Sequence, residues 1–183
     1  MSWFRRAEQP PPLPAQVRAG LGLPRGERLL THAVLTDGSW VLATSAALVL
    51  VDPVEGPDAG PGTPRARHLW HDVAEATWVP DERCIDIRWV DTTAPGLRLS
   101  LDERESYLPE VLRERVVSTY VLSQRVAVRG KRGVTVAIRR NAVDGTLFVQ
   151  AVPDDGVDLE RPQVADQVAS LTRELAMQAG LVP

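Results

Sequence analysis

Between Arg115 and Val143 every ionisable side chain except Tyr120 is basic: Arg115, Arg125, Arg129, Lys131, Arg132, Arg139 and Arg140. From Asp144 to Glu174 acids dominate. Arginines at this density suit phosphates or carboxylates, which they grip with planar, bidentate donors. If 125–140 is a β-hairpin, strand alternation places Arg125, Arg129 and Arg139 on one exposed face. The small residues Ala127, Thr135 and Ala137 then lie between them, and Phe148 lies beside them on the next strand. A flat centre rimmed by arginines can take phosphates and stack a base on Phe148. It can equally dock an acidic protein surface, or be neutralised from within by Asp154, Asp155, Asp158 and Glu160 of the following loop. One aromatic is thin for a nucleic-acid platform, and a net charge of −3 gives no general attraction for polyanions. The surface of Arg125, Arg129, Lys131, Arg132, Arg139 and Phe148 is therefore read first as a contact for a protein partner of acidic character. Nucleic-acid binding through 125–140 is the alternative, and an enzyme of unassigned type ranks third.

The remaining reactive side chains do not assemble into catalytic machinery. His68-x-x-His71-Asp72 has ligand-type residues, but on a strand His68 and His71 point to opposite faces, a poor geometry for zinc. Asp72 reads better as a turn former and Trp70 as a core anchor. Cys84 has no neighbouring base to lower its pKa, so a half-buried strand thiol is expected. Asp102, Glu103 and Glu105 precede a helical stretch and favour the positive end of its dipole. There is no nucleophile–base pair, Gly-rich phosphate loop or metal cluster in the pattern. No catalytic residue, metal or cofactor is assigned.

Length and composition narrow the class further. A chain of 183 residues suits one well-buried domain. A single cysteine excludes an internal disulfide framework and fits a reducing compartment. No apolar run approaches the ~20 residues of a membrane helix, and the first residues lack the apolar core of a signal peptide. A cytoplasmic location is expected.

The elements that must position these side chains are mostly strands. Residues 1–24 read as a proline-rich, disordered tail, with Pro10, Pro11, Pro12 and Pro14 favouring a solvated polyproline conformation. Trp3-Phe4-Arg5-Arg6 within it suits a membrane interface, but stable anchoring needs a second signal. Residues 25–183 read as one compact domain. Its first stretch, Arg28 to Asp52, holds three strand-like runs, with Asp37-Gly38 as a hairpin turn whose two central residues need positive φ. Apolar residues on both faces of these runs predict a sheet covered on both sides. Pro53 to Ala66 reads as a long loop. Short strands follow near Leu69 and over Val73–Val79, then at Ile85/Ile87/Trp89 and Leu97/Leu99/Leu101. Next comes a helix from Ser106 to about Ser118, with Leu108, Val111, Leu112 and Val116 at helical spacing. The last third, residues 121–183, predicts strands at Leu122–Arg129, Val134–Arg140 and Leu147–Val152. A helix from Pro162 ends it, carrying Val164, Val168, Leu171 and Leu175 on one stripe.

Seven short strands followed by an amphipathic helix, over about residues 26–120 of the core at 25–120, resemble the pleckstrin-homology-like superfold and its bacterial members in particular. The resemblance rests on Gly26-Glu27-Arg28-Leu29-Leu30 leading into the first strand and on Thr44-Ser45-Ala46-Ala47-Leu48 between the second and third. Trp70-His71-Asp72-Val73 after the fourth completes it. The fold class it implies is α+β, mainly antiparallel β, with this core extended by a C-terminal β-β-β-α unit. It also implies a non-catalytic interaction module. Where such domains bind phosphoinositides, the loop between the first two strands is basic. Here that loop is Thr36-Asp37-Gly38-Ser39, which has no cation to hold a phosphate.

Overall fold

Strands β1 (Leu29–Val34), β2 (Trp40–Thr44) and β3 (Ala47–Val51) form the expected meander, and β4 (Pro64–Leu69) joins it. Together they make a four-stranded antiparallel sheet in the order β1-β2-β3-β4. The computed structural model describes residues 11–54, 56, 60–102 and 106–181. Trp3-Phe4-Arg5-Arg6 and the carboxylates Glu103 and Glu105 lie outside these residues. Two local expectations change. In the β1–β2 turn only Gly38 has positive φ, at 81°. The Leu35 N–H donates to Ser39 O, so the loop carries three residues, with glycine in the left-handed position, instead of two. Strand β4 begins at Pro64, inside the stretch expected as loop. A proline is tolerated there because β4 is an edge strand and its outer side needs no donor.

The expected disordered tail is overturned from residue 11 onward. A short helix, α1 (Ala15–Gly20), packs on the outer face of the first sheet. Leu13, Val17 and Leu21 recur every four residues and are buried against Trp40, Leu42, Val49 and Val51. His32 Nε2 meets Pro11 O at 2.8 Å and ties the arm to β1. The two-faced apolar pattern of β2 and β3, buried at every position, required a cover, and the arm provides it.

Strands β5 (Val73–Val79), β6 (Cys84–Trp89) and β7 (Leu97–Ser100) form a second antiparallel sheet, β5-β6-β7. Its free end closes on the first sheet. Leu35 bridges Leu101, Thr36 N–H donates to Ser100 O (2.9 Å), and Asp102 N–H donates to Val34 O (3.0 Å). Between the sheets lie Val41, Leu48, Trp70, Ile85, Ile87 and Leu99. Helix α2 (Leu108–Ser118) seals this interior with Leu108, Leu112 and Val116, one residue per turn. Each such buried leucine contributes roughly 1.5–3 kcal/mol. The Ser106 hydroxyl accepts the Leu108 N–H (3.1 Å), and Pro109 sits in the first turn, where no N–H is missed.

The three stretches that carry the family resemblance meet here. Glu27 accepts hydrogen bonds from the Thr44 hydroxyl and from Arg67. Thr44 O in turn accepts the Trp70 indole N–H at 3.0 Å. Asp72 accepts the Leu69 N–H (3.2 Å) at a single 3-10 turn, Trp70–Asp72. These residues fasten the fold.

Strands β8 (Tyr120–Arg129), β9 (Arg132–Arg140) and β10 (Leu147–Pro153) make a third antiparallel sheet, β10-β9-β8. Helix α3 (Pro162–Gln178) covers one face, burying Val164 and Leu175 against Val134, Val136 and Ile138. The architecture among the described residues is thus α+β, with ten strands in three antiparallel sheets and three α-helices.

Candidate functional site

The hairpin at 125–140 forms, but its arginine face is not an open platform. Arg139 is fully buried. Its Nη2 donates to Trp70 O (3.1 Å) and Val73 O (3.2 Å), and its guanidinium lies 3.9 Å from the centroid of the Tyr120 ring. Burial pushes its pKa below the ordinary arginine value. Ala137 beside it is also fully buried. The small residues expected to flatten a surface instead allow the 3-10 turn and β5 to press against the sheet. Phe148 is half-buried and packs edge-to-face with His71 (centroids 5.1 Å, 77°).

Arg125, Lys131 and Arg132 remain exposed. The Arg129 side chain lies outside the described atoms. Arg125 forms a bidentate ion pair with Asp154 and also donates to Lys131 O (3.0 Å). Asp154 accepts the Gly133 N–H at 2.8 Å. The hydrogen bond from Arg125, helped by that from Gly133, holds the Asp154 carboxyl below the usual carboxylate range. The acidic loop therefore does neutralise part of the basic hairpin.

The other reactive side chains are dispersed. His68 stacks on Trp89 (4.3 Å, 31°), whereas His71 contacts Phe148. Among the described residues no three His, Cys, Asp or Glu side chains converge in a metal-holding group. Cys84 is buried, and burial pushes its thiol up, away from the reactive thiolate.

What the sequence did not disclose is a groove between the second and third sheets. A cavity of about 400 Å³ opens there, walled by the outer edge of β5, the last turns of α2 and the sheet of β8–β10. Strand β5 pairs only with β6 among the described residues, so its other edge presents backbone groups to this space. Ala74 and Ala76 are small enough to leave that edge open. The Tyr120 hydroxyl, 3.4 Å from Ala74 O, marks the groove floor. Val117, on its rim, is 59% exposed. Three arginines (Arg88, Arg113, Arg125) face two carboxylates (Glu75, Asp154) across it. Arg88 lies 3.6 Å from Glu75 and also donates to Pro153 O (3.2 Å). Arg113 is exposed and pairs with no carboxylate among the described residues. Arg125 and Thr135 are thus the part of the sequence-predicted face that enters a concave site. The signal that could have found the rest is the run of small alanines alternating with polar residues in β5, which suits close approach by another chain.

Comparison with protein-family models, with curated proteins and with solved structures finds no match to the chain. No helix of the described residues is long and apolar enough to cross a membrane.

Proposed function

We propose that the protein is a non-catalytic interaction module of the pleckstrin-homology-like type that docks an extended, acidic segment of a partner protein along β5. The four-plus-three arrangement of β1–β7, its closure through Leu35 and Leu101 and the sealing helix α2 support the fold reading. The linkage of Glu27, Thr44 and Trp70 supports it too, since those are the residues on which the resemblance rests. The observation that carries the function is the edge of β5, unpaired among the described residues, inside a groove with an apolar rim and an arginine, Arg113, that pairs with no described carboxylate. An extended peptide gains main-chain hydrogen bonds from such an edge, and flanking pockets select its side chains. Its carboxylates would meet Arg113 first.

The test is selection of binders from a peptide library, followed by titration of a selected peptide against isotope-labelled protein. Shifts at amides 74–78, with binding weakened at least tenfold by Arg113→Glu and by Val117→Asp, are expected. A peptide that maps elsewhere, or that ignores both substitutions, refutes the proposal. Steeply salt-dependent binding of single-stranded RNA or duplex DNA, lost on Arg125→Ala with Lys131→Ala and Arg132→Ala, would put nucleic acid in the partner's place.

A further inference from the structure

We propose that a second cavity, at the corner where β4, β6 and β10 meet, binds an organic cation of the guanidinium or alkylammonium class. It shares no lining residue with the β5 groove and stands independently of that reading. Its volume is about 370 Å³, within the range of small-ligand sites. One wall is aromatic. His68 and Trp89 stack there at 4.3 Å, and the Trp89 ring is pinned by its indole N–H, which donates to Pro95 O at 3.0 Å. The opposite side supplies Asp72, Asp91 and Gln150, and no lysine or arginine lines the space.

Each polar group there is an acceptor with capacity to spare. Asp91 uses one carboxylate oxygen for the Thr93 N–H (2.9 Å) and hydroxyl (2.6 Å), leaving the other. Asp72 gives one oxygen to the Leu69 N–H, and its other lies 3.8 Å from His71 Nε2. Among the described residues neither carboxylate forms an ion pair with an arginine or lysine, and Arg139 acts on Asp72 only through space. The side-chain oxygen of Gln150 is buried and meets no donor among the described residues. The nearest buried cation, Arg139, does not line the cavity, and its Nη2 is engaged by Trp70 O and Val73 O. An anion would be repelled by both carboxylates, and a neutral apolar guest would strip water from the two of them without replacing it. A cation satisfies them as a multiple donor and lies beside the His68–Trp89 pair.

Calorimetric titration of the full chain with agmatine, putrescine and a capped arginine amide tests this, with a capped citrulline amide as the neutral isostere. The cations are expected to bind with Kd near or below ~1 mM and the citrulline compound at least tenfold more weakly. Asp91→Asn and Asp72→Asn are each expected to weaken the cations tenfold or more. Asparagine keeps the acceptor of each local turn, so an unchanged urea midpoint verifies that folding is intact. Gln150→Leu, which removes the buried acceptor, is the second variant and weakens binding too. Tighter binding of the free amines assigns the site to a small polyamine, and tighter binding of the capped arginine to a partner's side chain. Both uphold the cation chemistry. Absence of binding by all three cations, equal affinity for the citrulline compound, or affinity unaltered in the Asp72→Asn/Asp91→Asn double variant overturns it.

Discussion

Removing the Arg139 guanidinium should undo the docking of the third sheet. Its Nη2 supplies the donors for Trp70 O and Val73 O, and hydrogen bonds from a charged group are worth about 1.5–3 kcal/mol each. The desolvated stack on Tyr120 adds about 2 kcal/mol. Against these stands the penalty for burying a charge, several kcal/mol after relaxation. Two of its nitrogens, Nε and Nη1, recover none of that penalty through hydrogen bonds among the described residues. The difference leaves Arg139→Ala costing about 3–4 kcal/mol, since it adds a cavity to the loss of donors at two carbonyls, of which Trp70 O keeps the Val73 N–H. Arg139→Met fills the space and escapes the desolvation penalty, so it costs about 2 kcal/mol, chiefly for the carbonyls. Urea unfolding followed by tryptophan fluorescence measures both. Hydrogen exchange adds location: amides of β9 should open first while those of β2 and β3 keep their protection. A double-mutant cycle with Tyr120→Leu should return a coupling of about 1–2 kcal/mol. An Arg139→Ala change below about 1 kcal/mol, or equal loosening of every sheet, would refute the reasoning, because it would mean the guanidinium is solvated and the seam is not closed.

Asp154 carries a pH signature. Its carboxyl is held low in the folded state by Arg125 and Gly133, so its contribution is present above the ordinary carboxylate pKa of about 4 and is lost as pH falls through the depressed value. Asp154→Asn should be slightly less stable than the parent at pH 7, and the two should converge in acid unfolding; a gap that persists or widens in acid contradicts this assignment. Gly20→Ala should lift α1 from the sheet, because its Cβ would lie 2.1 Å from Gly62 O. A cost of about 1–3 kcal/mol is expected, with trypsin cutting after Arg18 or Arg25 sooner than in the parent. Cys84 should resist a disulfide reagent at pH 8 until denaturant is added, then titrate as one thiol.

Strand positions were legible because alternation and turn residues are local signals. Ile85, Ile87 and Trp89 point inward, and the α2 stripe is buried as its spacing required. The misreadings arose where a residue's neighbours come from another layer. Leu13, Val17 and Leu21 carry a four-residue period that the adjacent prolines masked, yet the apolar outer face of β2–β3 needed some cover. Arg139 followed the rule that arginines face water. The small side chains Thr135 and Ala137 on the same face were the contrary signal, since small residues permit a second layer to approach. The β5 groove was out of reach of pattern reading, because its walls come from segments far apart in the chain.

The third sheet does more than extend the first two. Arg125, Thr135, Val152 and Asp154 form one wall of the β5 groove, and Gln150 contributes the buried acceptor of the cation cavity. Both concavities therefore exist only while the face bearing Ala137 and Arg139 is pressed against the 3-10 turn and β5. A single buried guanidinium at that seam ties the strength of docking to the shape of both sites. On this argument Arg139→Met, which leaves every groove residue in place, weakens the selected peptide and the cation together. Substitutions on the α3 side of the sheet, such as Val168→Ala, cost stability while sparing both affinities. Loss of one affinity without the other in Arg139→Met would separate the two sites and deny the seam its common role.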